Sequence, residues 1–273
     1  MKKRFLAILA TLTVATTLSG CASAKKDTAD EPETEITQEE QIEIPETTEA
    51  PQIPVVAEPK PTVKTVSYIT VTSDNVNIRT GAGTNYSSVG TAEKSTLYAN
   101  LGESGGWYKT QYKNKTAYIN KKYCRTVEMT ASDSEDIENI IAEGTKLLGT
   151  PYVYGAVRLH DGKGKMLSGF SVNAFDCSSL MQYMFYKGAG KLLQVNTRTQ
   201  IYQGMTIAKS KLKRGDLIFF TNASRKNNTG IERVGHVAMY LGDNYILHTA
   251  SDYAKIEQIT PTRWSYYVQT QRI

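Results

Sequence analysis

The residues best suited to chemistry in this 273-residue sequence are one cysteine and two histidines in its C-terminal half. Cys177 stands at the start of an apolar helical pattern, and His236 and His248 lie in two patterned segments downstream. A catalytic thiol needs a base that takes its proton and a third group that holds the tautomer of that base. We therefore predict that Cys177 is a nucleophile, that His236 is its base and that His248 orients His236.

The segment that follows Cys177 predicts a helix with the cysteine in its first turn. An apolar face at helical spacing runs from Leu180 to Phe185, and Gly188 is expected to end the helix. Unpaired backbone amides and the helix dipole stabilise a thiolate there, so we expect a thiol pKa well below the free value of about 8.5. The same amides would stabilise an oxyanion. The alternative is a buried structural cysteine.

The two histidines belong to a predicted β-hairpin that turns at residues 242–244. Side chains alternate between the faces of a strand, so the length of the loop decides whether both imidazoles share a face. A three-residue loop places Leu241 opposite Tyr245 and leaves His236 diagonal to His248, about 7–8 Å apart at the backbone. A two-residue loop would separate the imidazoles, so we predict the odd loop. The alternative for each histidine is a satisfied core residue.

The N-terminal segment predicts export and lipidation. Lys2, Lys3 and Arg4 precede an apolar run that is shorter than the roughly 20 residues of a spanning helix. The run ends in Leu-Ser-Gly before Cys21, which is the pattern of a bacterial lipoprotein signal. We expect a signal peptide over residues 1–20 and a lipid anchor at Cys21. The protein would then lie on the extracellular face of the cell membrane, associated with the wall. The alternative is an ordinary secretory signal with a chance cysteine.

Residues 21–65 are predicted to be a disordered tether. They contain eleven acidic residues against four lysines and hold six of the eight prolines, so they cannot bury enough apolar surface to fold. The rest of the chain is strongly basic, which indicates an anionic partner such as cell-wall polymers. The alternative is that this charge serves solubility alone. We exclude nucleic acid as a partner of an exported lipoprotein, and we expect a monomer.

The other cysteine chemistry that export permits is disulfide formation. Pairing Cys124 with Cys177 would silence the nucleophile, so we expect two free thiols, with Cys124 as apolar filler. Cys177 and the two histidines offer three zinc ligands, but neither their spacing nor a fourth acidic ligand supports a metal site. We therefore expect no metal and no cofactor.

Residues 66–127 predict a small all-β barrel, with period-two alternation at Val76 and Ile78 and a hairpin at residues 113–115. It contains the motifs 76–83 (VNIRTGAG), 106–109 (GWYK) and 116–119 (TAYI). In these motifs the unit resembles the bacterial SH3 domain. That resemblance implies a role in wall binding or substrate positioning, and the alternative is a spacer without affinity.

Residues 128–273 contain five motifs in the order 148–155 (LGTPYVYG), 175–180 (FDCSSL), 214–220 (RGDLIFF), 235–242 (GHVAMYLG) and 247–250 (LHTA). In these motifs and in their order, the segment resembles the NlpC family of cell-wall cysteine peptidases. The resemblance implies an α+β papain-like fold, in which N-terminal helices pack on an antiparallel sheet. It also implies hydrolysis of peptidoglycan stem peptides, at the bond that joins D-glutamate through its γ-carboxyl to the diamino acid.

The resemblance also implies roles for further residues. The hydroxyl of Tyr152 would support the site, and Asp176 and Ser178 would recognise the amino end of the stem peptide, although either could instead cap the helix. Two departures are Ala156, in place of a glycine, and an extra polar loop over residues 157–174 beside the presumed cleft.

The extra loop is the feature that we expect to alter substrate specificity. Within it, His160 is expected to be a solvated residue. A second polar loop, over residues 222–232, is expected to form a rim or lid.

Two other functions stay open at this point. One is a non-catalytic wall-binding lipoprotein with a vestigial catalytic fold. The other is an amidase or transpeptidase that uses the same thiol chemistry.

Overall fold

The computed structural model describes residues 63–273. Its first part consists of short strands along which buried and exposed residues alternate. Val76 and Ile78 are buried whereas Asn77 between them is exposed, as the period-two pattern predicts. The strands of this part are β1 (Thr65–Val71), β2 (Val76–Arg79), β3 (Ser88–Ala92), β4 (Leu97–Ala99), β5 (Glu103–Ser104), β6 (Trp107–Tyr112), β7 (Lys115–Asn120) and β8 (Cys124–Thr130).

The predicted signal peptide, the lipidation site Cys21 and residues 22–62 of the predicted tether lie outside the described range. Thr65, the last residue assigned to the tether, already begins β1 and pairs with Thr130. Within residues 63–273, no helix combines the length and the apolar character needed to cross a bilayer.

Helices and strands follow each other in the second part. Its helices are α1 (Glu135–Lys146), α2 (Cys177–Ala189), α3 (Thr197–Gln200) and α4 (Pro261–Ser265). Its strands are β9 (Met205–Ile207), β10 (Leu217–Phe220), β11 (His236–Gly242), β12 (Tyr245–Ala250), β13 (Tyr253–Gln258) and β14 (Tyr267–Arg272). Helices α1 and α2 pack together, and α2 contacts β11 and β12. The predicted α+β fold class is confirmed.

One sheet crosses both parts of the molecule. The order β3-β2-β7-β6-β5 forms a five-stranded sheet, whereas β8-β1-β4 continues through β13 into a nine-stranded sheet that ends β12-β11-β10-β14-β9. The junction is the antiparallel pair Leu97 and Ile256, both fully buried. Strand β4 thus covers the edge of β13, which would otherwise present unpaired backbone groups.

The β6–β7 turn also closes the end of α1. The backbone N–H groups of Lys113 and Asn114 donate to the carbonyls of Leu148 and Lys146, at 2.8 and 2.7 Å. Carbonyls at a helix C-terminus lack partners within the helix, so the turn supplies partners that α1 needs. The predicted hairpin is confirmed, with a two-residue turn of positive φ in place of three residues.

Arg214 ties the same parts together from the other side. Its guanidinium donates to both carboxylate oxygens of Glu138, at 2.7 and 2.9 Å, and to the hydroxyl of Tyr68 at 2.8 Å. It also donates to the carbonyl of Leu241. A bidentate guanidinium–carboxylate pair is geometrically specific, so this half-buried pair holds β1, α1 and β11 in one arrangement.

Helix α2 begins where the sequence predicts but does not end at Gly188. Gly190, with a φ of 65°, forms the left-handed cap. Gly188 lies inside the helix, where an added Cβ would meet the Cα of Ile140 at 2.5 Å, so its small size lets α1 approach closely. The predicted apolar face is fully buried: Leu180, Met181, Met184 and Phe185.

The histidine hairpin has the predicted register for a different reason. Met239 pairs with Leu247, which continues the register expected from a three-residue loop. The loop itself has two residues, Asp243 and Asn244, and the register shifts between Tyr240 and Gly242. The extra residue of this bulge restores the odd count, so His236 and His248 share a face.

We predict that Gly149→Ala destabilises the fold more than Gly169→Ala. Both glycines have left-handed φ, 83° and 80°, and a non-glycine residue costs about 1–2 kcal/mol there. Among the described residues, a new Cβ at Gly169 meets nothing within 4 Å, whereas at Gly149 it meets the Tyr112 ring at 2.1 Å. Such overpacking costs a further ~1–3 kcal/mol. Urea unfolding measures both losses, and equal losses would contradict the tight contact between Gly149 and Tyr112.

Candidate active site

Cys177 is the first residue of α2, as the sequence predicts. Asp176 caps the helix: its carboxylate accepts from the N–H of Ser179 at 2.8 Å, and the Ser179 hydroxyl accepts from the N–H of Asp176. The backbone N–H groups of Ser178 and Val237 lie close enough to the Cys177 sulfur to favour its charged form. Val237 adjoins His236 in β11, so the helix start and the histidine strand meet at the thiol. Cys177 and Cys124 are both free, as expected.

The expectation of a low thiol pKa is wrong for this structure. Burial raises the pKa of Cys177 to about 12, and the neighbouring Asp176 carboxylate raises it further. The two backbone N–H groups and the charge of Arg158 lower it only in part. The desolvation of the sulfur and the charge of the capping carboxylate outweigh the helix dipole, on which the predicted low pKa rested. The resting thiol is therefore neutral.

Three hydrogen bonds form a line that leads from His236 through His248 and Glu257 to Arg263. Nε2 of His236 lies 3.0 Å from Nδ1 of His248. Nε2 of His248 lies 2.9 Å from Oε1 of Glu257, which also accepts from Arg263 at 2.9 Å. Both imidazoles are at least nine-tenths buried. The predicted pairing of the histidines is confirmed, and it has a further partner in Glu257.

Glu257 determines where the protons of this line lie. Burial alone would raise the pKa of its carboxyl, but the His248 hydrogen bond and the nearby positive charges hold that pKa at about 2. An ionised carboxylate only accepts hydrogen bonds, so His248 donates from Nε2 and accepts at Nδ1 from His236. The remaining nitrogen of His236, Nδ1, then carries the free lone pair of a base.

Burial keeps both imidazoles neutral, which is consistent with these tautomers. Desolvation lowers the pKa of His236 well below its ordinary value, and the adjacent His248 lowers it further. Desolvation also lowers the pKa of His248, although the Glu257 hydrogen bond opposes this effect.

Glu257 is the residue of this line that sequence reasoning missed. In the β12–β13 pairing His248 faces Lys255, so Glu257 is its diagonal neighbour on the same face. Alternation along β13, with Ala254 and Ile256 buried on the other face, carried a usable signal. Extending the parity argument from the first hairpin to the next strand would have found Glu257.

The other predicted site residues, Tyr152, Asp176 and Ser178, also lie close to Cys177. Tyr152 lies near Cys177 and Asp176, whose proximity, after burial, raises the pKa of its hydroxyl. Asp176 and Ser178 are buried, and the Ser178 hydroxyl donates to Asp176 at 2.9 Å. Arg158, from the extra loop, pairs with Asp176 at 2.7 Å.

His160 is not the solvated loop residue that we expected. Its side chain is fully buried against the ring of Tyr186, with the ring centroids 5.3 Å apart. The Gln182 amide donates to the His160 carbonyl at 3.1 Å, so the extra loop folds back on α2. The polar composition of the loop predicts exposure to solvent, whereas contacts with α2, which lies distant in sequence, bury His160.

Two cavities flank the line of polar residues. One, of about 500 Å³, contains Cys177, and the other, of about 400 Å³, contains His236. Tyr152, Asn222 and Gly235 line both, so the loop over residues 222–232 contributes to the rim, as predicted. Every lining residue of these two cavities falls within residues 152–266. Strands β1 to β8 therefore do not line either cavity.

Within residues 63–273, no three side chains of His, Cys, Asp or Glu are grouped to hold a metal ion. In the described cleft, the Cys177 thiol meets the strand that carries His236 at the backbone of Val237.

Comparison with known families agrees with this geometry. Residues 149–272 match the NlpC/P60 family, and residues 74–124 match the bacterial SH3 domain. The chain contains an NlpC/P60 domain. It lies C-terminal to a bacterial SH3 domain, and both resemblances inferred from the motifs are confirmed.

Relatives of the NlpC/P60 domain include named enzymes. Peptidoglycan endopeptidase RipA of Mycolicibacterium smegmatis is 33% identical over 137 residues, which are 49% of this chain and 25% of RipA. A gamma-DL-glutamyl hydrolase of Bacillus subtilis is 28% identical over 163 residues, which are 59% of this chain and 35% of the hydrolase. This chain thus spans about a quarter to a third of the length of these curated relatives.

A solved structure of an NlpC/P60 family protein from Bacillus cereus is 24% identical to this chain. The alignment covers 76% of this chain and 63% of that protein, with a TM-score of 0.40.

We predict that stability falls on acidification from pH 7.5 to pH 5. His236 and His248 have lowered pKa values in the fold, so the unfolded chain binds protons below about pH 6.5 that the folded chain does not. Each imidazole then costs up to about 1.4 kcal/mol of unfolding free energy per pH unit. Urea unfolding at each pH measures the slope. The slope should be shallower in His236→Gln, and a parent chain insensitive to this pH change would contradict the buried neutral pair.

Proposed function

We propose that the protein is a cell-wall hydrolase that cleaves peptidoglycan stem peptides with Cys177 as its nucleophile. The observation that carries the proposal is the hydrogen-bonded line from His236 through His248 to Glu257. This line leaves Nδ1 of His236 free, and Val237, the next residue in β11, lies close to the Cys177 sulfur. A thiol, a base and an orienting group are the parts that cysteine peptidases need.

The neutral resting state implies proton transfer during attack. His236 takes the thiol proton at Nδ1 as the Cys177 sulfur bonds to the substrate carbonyl. The imidazolium that forms is stabilised by His248, which in turn donates to the Glu257 carboxylate. His236 then gives its proton to the leaving amine, and an acyl-enzyme remains. Water, deprotonated by His236, hydrolyses the thioester and restores the thiol.

We further propose that the bond cleaved joins the γ-carboxyl of D-glutamate to the diamino acid. The name of the Bacillus subtilis relative, a gamma-DL-glutamyl hydrolase, supports this bond, and that of RipA supports peptidoglycan as the polymer. Roles for Tyr152 in supporting the site, a lipid anchor at Cys21, a wall-associated location outside the membrane and a monomeric state belong to the same proposal. The basic charge of the chain supports contact with anionic wall polymers.

A non-catalytic wall-binding protein is the second candidate. Two observations favour it: the Cys177 thiol is buried with a raised pKa, and within residues 63–273 no hydrogen bond joins its sulfur to His236. Catalytic hydrogen bonds are often absent without substrate and form in the substrate complex, so the cysteine peptidase stays the first candidate.

We predict that Cys177→Ala abolishes cleavage of defined muropeptides, with a loss of about 10⁴-fold or more, because the nucleophile is removed. Cys124→Ala is the matched control, since Cys124 is a free thiol outside the cleft. Mass spectrometry of the products identifies the bond. Cleavage after D-glutamate leaves a dipeptide on the muramic acid, whereas an amidase releases the whole stem. A parent chain that binds muropeptides without cleaving them would support the second candidate and refute the first.

We predict that Glu257→Gln lowers kcat by roughly 10²-fold, within the contribution of a positioned proton-transfer group. An amide no longer holds the His248 tautomer and offers no charge to the imidazolium. The pH profile should change as well, because an imidazolium without its carboxylate has a lower pKa. Glu128→Gln, at an exposed position in β8, is the matched control. Unchanged kcat and pH profile in a folded Glu257→Gln protein would exclude a positioning role for Glu257.

A further inference from the structure

The Asp176 carboxylate, next to the nucleophile, has no free acceptor position. Oδ1 accepts from the Ser178 hydroxyl at 2.9 Å and from the Ser179 N–H at 2.8 Å. Oδ2 accepts from the Gly155 N–H at 3.2 Å and from Arg158 Nη2 at 2.7 Å. A carboxylate offers about four lone-pair positions, so these donors occupy all of them. A substrate ammonium could bind Asp176 only by displacing one of these donors.

Arg158 is built into this position from the extra loop. Its Nε donates to the carbonyl of Val195 at 2.7 Å, Nη1 donates to the carbonyl of Ala156, and Nη2 also contacts the Ser178 hydroxyl at 3.2 Å. The side chain is 18% exposed. A guanidinium stays protonated at all relevant pH values, so the donor on Asp176 is permanent and carries a positive charge.

Two further arginines add positive charge to the wall of the Cys177 cavity. Arg198 and Arg225 line the same cavity, and both share a single carboxylate, that of Glu232, at 3.4 and 3.3 Å. Since Arg158 neutralises Asp176, the cavity keeps an excess of positive charge. Such a wall repels a second cation.

Cleavage after the second residue, D-glutamate, would leave the amino end of the stem two residues from the Cys177 sulfur, and Asp176 and Cys177 line the same cavity. Tyr154 also lines this cavity and is 83% exposed, so this part of the cavity wall lies open to solvent. An acylated amino end is neutral, and it is the form in which the stem is joined to muramic acid.

We propose that Arg158 is a specificity-determining residue, which makes the cleft select stem peptides with an acylated amino end over stems with a free ammonium. This selection rests on the proposed function, because it assumes that a stem peptide occupies the cleft. The extra loop thereby directs the site toward stems still attached to the glycan.

Binding to the full-length chain carrying Cys177→Ala tests the selection without turnover. The probes are the stem tripeptide with a free amine and the same tripeptide N-acetylated, each titrated by calorimetry. We expect the acetylated peptide to bind about tenfold tighter or more, the ratio for one charge-assisted interaction. Adding Arg158→Ala frees one oxygen of Asp176 and should erase or reverse that preference. Arg158→Lys keeps the charge and should retain the preference, and Arg125→Ala, exposed in β8, is the matched control.

Cleavage by the chain with Cys177 intact gives a second measurement. Arg158 also lowers the thiol pKa, so its removal affects both peptides alike, and the ratio of their kcat/KM values cancels that effect. A parent preference for the free amine, no binding of either peptide, or a ratio unchanged in a folded Arg158→Ala protein would overturn the proposal. Selective binding without cleavage would overturn only the proposed hydrolase function.

Discussion

Burial of a neutral imidazole pair against one ionised carboxylate is the constraint on which the site depends. Desolvation disfavours charge on His236 and His248, whereas Arg263 and the His248 hydrogen bond keep Glu257 ionised. With only the carboxylate charged, each hydrogen bond in the line has one possible donor: His248 donates to Glu257, and His236 donates to His248. Glu257, in β13, therefore sets the tautomers of both imidazoles, and the thiol does not.

The carboxylate that stabilises the start of α2 makes the neighbouring thiol harder to ionise. Asp176 must be present to cap α2, yet its charge raises the pKa of the adjacent thiol. Arg158 resolves part of this conflict, because it pairs with the capping carboxylate and lowers the thiol pKa. Stability of the helix, reactivity of the sulfur and the charge presented to a ligand are thus coupled through one ion pair.

The SH3 domain contributes through structure rather than through the lining of the two cavities beside the thiol. Its strand β4 extends the sheet at Ile256, one residue from Glu257, and its β6–β7 turn closes the end of α1. The strand that carries Glu257 is therefore held between β12 on one side and the SH3 domain on the other. The SH3 domain thereby supports the strand that carries the Glu257 carboxylate.

The sequence by itself determined the helix start at Cys177 and both domain families, and it predicted the shared face of His236 and His248 through an odd loop that the structure replaces with a bulge. These features depend on local periodicity, capping and short-range register, which neighbouring residues encode. Tertiary structure alone decided the pairing of Arg158 with Asp176, the burial of His160 and the raised thiol pKa. Each of these requires segments distant in sequence to meet, or depends on how much water the assembled fold removes, and neither quantity can be read from local pattern.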